Sequence, residues 1–318
     1  MLFIDLATRN QYKKYAMRIR NPLFIYLPVL LAMVFWSFSF IWYKQVFIHY
    51  DPITVIVLRL VIAVPLLFIL SVAAGKLQRF QRKHLSWFLL LGFFEPFLYF
   101  LGECYGVNRI SPTLASIIIS LIPMLAPIPA RYLFREKFTA TNYIGLLVSV
   151  AGVLLVVLGE DGSKPAALAG VLLMLLAVFS AVCHSIFVRK LSEYYNSFTI
   201  VTYQSTFGLV YFIPLFSFLG LAQFIHAHHS FSMLFPVIKL AVFASTFAFL
   251  LFVYSIQRLG MARTNVFVNL IPVFTAVLSF IILKESFSML KIVGISVVVA
   301  GLVVSQYNYS ARISGKIK

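Results

Sequence analysis

Acidic side chains are scarce in this chain. Nine Asp and Glu stand against 26 Lys and Arg among 318 residues, and charged residues of both signs make up only 11%. A water-soluble domain carries about a quarter of its residues charged, so an ordinary soluble fold is excluded. Cysteine is limited to Cys104 and Cys183, both inside apolar runs and without a paired spacing. That excludes a disulfide framework or a cysteine-held zinc site and leaves two small core residues. The phosphate-cradling pattern GxxxxGK[ST] is missing, as are GxSxG and HExxH. ATP hydrolysis by a phosphate-binding loop and the commonest hydrolase chemistries therefore have no carrier. The net charge of +17 is spread over short loops with no basic patch interleaved with aromatics, so nucleic acid is not the expected partner.

Apolar residues are abundant: 62% of the chain, with a mean hydropathy of +0.98. Runs long enough to cross a bilayer recur from end to end. Ten spans are expected, near 23–43, 53–74, 85–105, 112–133, 141–158, 167–188, 198–220, 235–257, 264–283 and 288–306. The first run, Pro22 to Trp42, follows basic residues like a signal peptide, but it is too long and has no small-residue cleavage site. It reads as an uncleaved helix, preceded by a polar prefix in which Met17 offers a second start.

Alternate connections differ in charge. One set carries Arg9, Lys13, Lys14, Arg18 and Arg20, then Lys76, Arg79, Arg82 and Lys83, then Arg131, Arg135 and Lys137. It continues with Arg189, Lys190, Arg258, Arg263, Arg312, Lys316 and Lys318. The other set holds only Lys44, Arg109, Lys164, Lys239, Lys284 and Lys291. Basic loops stay on the cytoplasmic side, so both termini are expected there, in a multi-pass protein of the cell membrane.

Two stretches of the chain are versions of one another. Pro123 and Pro272 lie 149 positions apart (272 − 123), and the same offset relates Glu136 to Glu285, Gly145 to Gly294 and Gly152 to Gly301. It also relates Phe100 to Phe249, Tyr105 to Tyr254 and Arg109 to Arg258. A duplicated apolar unit is a mark of transporters built from two halves. Five spans per half is an odd number, so the second half enters the membrane from the opposite side. The expected organisation is a cytoplasmic segment 1–22, a first repeat 23–158, a linker 159–166, a second repeat 167–306 and a basic cytoplasmic tail 307–318.

This pattern resembles the EamA-type transporters of the drug/metabolite transporter superfamily. The resemblance rests on the ten spans, the two halves of five, the WSFSFIWYK stretch of the first span and the P…E…G…G series closing each half. It runs from about Pro22 to Gln306. It implies an all-α membrane protein whose two inverted five-helix repeats surround a central cavity, and export or exchange of small metabolites. The substrate is left open, because the family's substrates range over amino acids, sugars, nucleotides and drugs. The expected function is a secondary transporter exporting small organic metabolites such as amino acids. The alternatives are an uptake permease or exchanger and, from another class, an intramembrane enzyme. No cofactor or metal is expected.

Ionisable side chains at membrane depth cost about 3 kcal/mol and usually face a cavity. Arg59, Glu95, Glu103 and His184 meet that description. Glu95, Tyr99 and Glu103 fall at i, i+4 and i+8, one face of the third span, and Arg59 can reach either carboxylate. These residues read as a charged-substrate or proton site, or as a structural bridge between helices. At the same offset Glu95 meets Ala244 and Glu103 meets Phe252, while Arg59 aligns loosely with Gln204. That asymmetry favours function over a bridge. Pro96 can open the backbone beside Glu95. Ser116 and Ser120 precede Pro123 as Asn265 and Asn269 precede Pro272, and these polar pairs can bind substrate or join helices. The asparagines are favoured as contacts because an amide both donates and accepts.

His184, near Ser180, can relay protons or simply bond a neighbouring helix. Trp36 and Trp42 read as packing rather than pore lining. The His226, His228 and His229 group has no acidic or cysteine ligand nearby and reads as loop rather than metal site. Glu136 and Glu285 read as helix-start charges. The repeated glycines read as close helix contacts and leave a homodimer face open.

Overall fold

The structure, a computed structural model, describes residues 23–126, isolated positions between 128 and 155, and residues 165–226, 229–259, 264–265, 267–286 and 288–314. Among these residues there is no strand. The helices are α1 Leu23–Val46, α2 Pro52–Ala73, α3 Arg82–Arg109, α4 Pro112–Leu125 and α5 Pro165–Leu191. They continue with α6 Ser197–Leu219, the short α7 Leu221–His226, α8 Phe231–Leu259, α9 Phe267–Ile282 and α10 Met289–Ser314. Six of them (α1, α2, α3, α5, α6 and α8) are long and apolar enough to cross a membrane, and α4, α9 and the apolar part of α10 are shorter. The expected span at 141–158 lies outside the described residues apart from isolated helical positions. So do the segment 1–22 and most of the linker. The expected tail from 307 is helical as far as Ser314, so α10 runs beyond its expected end.

Local chemistry sets where these helices start. Asp51 caps α2, its carboxylate accepting from the Thr54 amide at 2.9 Å and hydroxyl at 2.7 Å, with Pro52 in the first helical position. Ser111 followed by Pro112 begins α4 in the same way, and Asn196 caps α6. Inside a bilayer every backbone group must be satisfied within the helix, so irregular turns occur only where protein covers them.

Two kinds of irregularity occur, each twice. The middle of α3 is π-helical over Phe93–Leu98, where Glu95 adopts an extended backbone (φ −145°, ψ 120°) ahead of Pro96. α8 is π-helical over Leu240–Ala248, a stretch that contains the positions 149 residues beyond Phe93 and Leu98. α4 breaks at Ser120 and Leu121 just before Pro123, and α9 starts with a 3-10 turn, Phe267–Asn269, just before Pro272. Proline has no amide hydrogen to donate to the turn before it, which explains both interruptions.

α1 packs on α8 and α9, α2 on α6 and α8, and α3 on α5 and α6. Gly208 of α6 lies so close to Pro96 that a side-chain carbon there would overlap the proline ring. Gly152 meets α10 in the same fashion, with an added Cβ falling 2.6 Å from the Val298 nitrogen. The second contact gives one of the repeated glycines its expected packing role. Glu285 does more than charge a helix start. It accepts from the Thr113 hydroxyl at 2.9 Å and from Lys291 at 3.0 Å, tying the start of α4 to the start of α10. Its repeat partner Glu136 lies outside the described residues.

Candidate functional site

Between α1, α2, α3, α4, α5, α8 and α9 the helices part around a cavity with about 620 Å³ of empty space counted to its mouth. Its walls are mostly aromatic and aliphatic, and Arg59, Glu95, Tyr99, Glu103, His184 and Asn265 interrupt them.

The charges fall into two clusters. In the first, Arg59 is 2% exposed, lies 4.0 Å above the Phe100 ring, and donates from Nε to the Ser245 hydroxyl at 2.7 Å. Its Nη1 donates to the Tyr43 hydroxyl and lies 3.8 Å from Glu103 Oε2. Glu103 receives a phenol on each oxygen, from Tyr43 at 2.8 Å and from Tyr99 at 3.0 Å. Buried charges are tolerated when paired and hydrogen-bonded, and this cluster does both.

In the second cluster Glu95 takes His184 as its partner, with Oε2 2.8 Å from Nδ1. The other ring nitrogen, Nε2, is 2.9 Å from Gln204 Oε1 on α6. Arg59 therefore pairs with Glu103 and not with Glu95. The wide turn around Glu95 swings its carboxylate out of the regular i, i+4, i+8 stripe and towards α5.

Asn265 belongs to neither cluster. It is 2% exposed on the cavity wall, and neither atom of its amide has a hydrogen-bond partner among the described residues. An unpaired buried polar atom costs about 1–3 kcal/mol, and this amide leaves both of its polar atoms in that state on the wall. Asn269 has an unpartnered buried oxygen as well, but it is not part of the wall. Ser116 and Ser120 also stay out of the wall. Their hydroxyls donate back to their own helix, to Thr113 O at 2.8 Å and Ile117 O at 2.6 Å. In α4 the hydroxyls of the duplicated polar pair thus donate within their own helix. Gln204 supports His184 from behind the wall.

Trp36, for which the sequence favours packing over pore lining, lines the cavity, its indole donating to Ala244 O at 3.3 Å. Trp42 does pack, stacking on Phe38. Sequence reading missed Tyr43 and Ser245, which hold Arg59. Trp36, Phe40 and Tyr43 follow i, i+4, i+7 along α1, a one-sided stripe that could have marked them. Away from the cavity His229 bonds the Tyr50 hydroxyl and the Phe224 carbonyl, each at 2.9 Å, and burial raises the Tyr50 phenol above its ordinary pKa. His228 lies outside the described residues, and among those described no three ligand-type side chains gather into a metal site.

Comparison with known proteins gives the same picture. A crystal structure 18% identical in sequence superposes with a TM-score of 0.63, covering 89% of this chain and 98% of that one, which shows a shared fold. An uncharacterized transporter of Bacillus subtilis, YetK, is 29% identical over 77% of this chain and 75% of its own length. An uncharacterized transporter of Archaeoglobus fulgidus is 26% identical over 87% of this chain and 96% of its own. A protein of Salmonella typhimurium named as a probable amino-acid metabolite efflux pump is 23% identical, over 90% and 97%. The model of the EamA-like transporter family matches twice, over residues 23–158 and 168–307. These two matches take in most of the chain, which belongs to the EamA-like transporter family.

Proposed function

We propose that this protein exports small organic metabolites, amino acids or close relatives, across the cell membrane by alternating access. In this reading ten spans form two inverted halves, 23–158 and 167–306, joined by a linker at 159–166 with both termini in the cytoplasm. Both irregular stretches recur at the repeat offset, which supports equivalent flexible points in each half. The observation that carries the proposal is Asn265: a buried amide with no partner, on the wall of a cavity whose charges are already matched. Such a cavity suits a small solute that brings its own donors and acceptors. The amino-acid class rests on the name of the Salmonella relative.

The test is flux from proteoliposomes loaded with a radiolabelled mixture of the standard amino acids. Intact labelled amino acid should leave faster than from empty vesicles. Equal rates would overturn the amino-acid class, and a chemically altered product would replace transport with catalysis.

A further inference from the structure

We propose that two tyrosine–histidine pairs, Tyr50 with His229 and Tyr195 with His84, are latches that close the two ends of the cavity and open in turn. This rests on the alternating access proposed above and names contacts that break and re-form in it.

The two pairs are copies of one another. Tyr195 stands 145 positions beyond Tyr50 (195 − 50), and His229 stands 145 beyond His84 (229 − 84). The same offset takes Asp51, the cap of α2, to Asn196, the cap of α6. Each cap accepts from the equivalent threonine amide, Thr54 at 2.9 Å and Thr199 at 3.0 Å. Beyond His229 the second half holds four more residues (149 − 145), which gives the offset found from Phe100 onward. The bonds match too: each phenol oxygen lies 2.9 Å from Nδ1 of its histidine. His229 Nε2 faces the Phe224 carbonyl, so Nε2 carries the ring hydrogen and Nδ1 accepts from Tyr50. The Tyr195 oxygen accepts from the Gln81 amide at 3.0 Å and has its own hydrogen left for His84.

Each pair crosses between the halves. Tyr50 and His84 belong to the first family match, 23–158, whereas Tyr195 and His229 belong to the second, 168–307. Tyr50 precedes α2 and His84 follows it, so a helix of about 33 Å separates the pairs. Arg59, on that helix, lines the cavity, which therefore lies between them. When two halves rock about a central site, their contacts part at one end as they close at the other. A neutral hydrogen bond is weak enough, net, to be broken and remade in each cycle. In this structure the Tyr195 end is the more firmly shut. There the Asn196 amide donates to Gln78 Oε1 at 2.8 Å, and Gln257 of α8 donates to the Tyr195 carbonyl at 3.0 Å. His84 is buried, whereas His229 at the other end is exposed.

Spin labels on the full-length protein in nanodiscs, with Cys104 and Cys183 replaced, read each end separately. Exposed positions beside the pairs carry them: Ile48→Cys with Phe231→Cys at the Tyr50 end, and Lys83→Cys with Glu193→Cys at the Tyr195 end. Tyr50→Phe keeps the ring and removes the bond. It should raise the population with a long 48–231 distance about two- to tenfold, while the 83–193 distance stays short. Tyr195→Phe should do the reverse, and His84→Phe takes its place if that variant does not purify folded. Unchanged distances at both ends in folded variants, or both ends lengthening together, would overturn the latches. Flux of the amino-acid mixture from proteoliposomes is measured alongside. Absence of flux in the wild type removes the export reading, while the distances still decide the latches.

Discussion

Replacing Tyr43 by phenylalanine removes one oxygen from the centre of the charged cluster. That hydroxyl donates to Glu103 at 2.8 Å and accepts from Arg59. Hydrogen bonds to charged groups contribute about 1.5–3 kcal/mol each, so losing both with no relaxation costs roughly 3–6 kcal/mol. Relaxation is built in, however. Arg59 Nη1 and Glu103 Oε2 are 3.8 Å apart, and an approach of roughly 1 Å would bring them to ordinary charged hydrogen-bond length. That recovers one bond and leaves a net loss of about 1.5–3 kcal/mol. For a chain of this size about 2 °C of melting temperature corresponds to 1 kcal/mol, so Tyr43→Phe should melt about 3–6 °C lower. The assay is thermal unfolding of purified protein in detergent, with a cycle through Glu103→Gln. In that background the phenol no longer meets a carboxylate, so the same substitution should cost about 1 kcal/mol less. An unchanged melting point for Tyr43→Phe, or an identical drop in both backgrounds, would show that the phenol does not hold Arg59 and Glu103 together.

Other substitutions separate the wall from its supports. Asn265→Ala should leave folding intact and raise KM for the transported solute about tenfold or more, read from concentration-dependent flux. Ser120→Ala should leave flux close to wild type, since its hydroxyl only returns to Ile117 O. Gly208→Ala should lower the melting temperature, because its methyl meets Pro96 and overpacking costs about 1–3 kcal/mol. Reporter fusions at Lys318 and within 226–229 should report opposite sides of the membrane, and matching sides would remove the ten-span inverted arrangement.

The charged members of the site were legible because the bilayer makes them expensive. Arg59, Glu95, Glu103 and His184 stand out in an apolar chain, and each lines the cavity. Their pairing was not legible. A regular helix leaves Arg59 free to choose either carboxylate, and only the wide turn at 93–98 sends Glu95 to His184. Tyr43 and Ser245 escaped notice because tyrosines and serines are common here and their role arises from contacts 60 and 186 positions apart in sequence. The bonding of the serine pair before Pro123 has a local reason. A short hydroxyl satisfies itself on the carbonyl three residues back, whereas the longer asparagine amide at 265 does not. Six of the expected spans coincide with long apolar helices, while α10 continues to Ser314, beyond its expected end.

In the proposed function the cavity between α1, α2, α3 and α5 is the transport pathway. Ser185 lines it and accepts a cysteine with little change in volume. With Cys104 and Cys183 replaced, Ser185→Cys in proteoliposomes can be probed with an impermeant thiol reagent from either face. Reaction from both faces, as the protein alternates, and protection by the transported solute are expected. A cysteine that stays unreactive from both sides in transport-active protein, or reacts equally with and without the solute, would contradict that pathway.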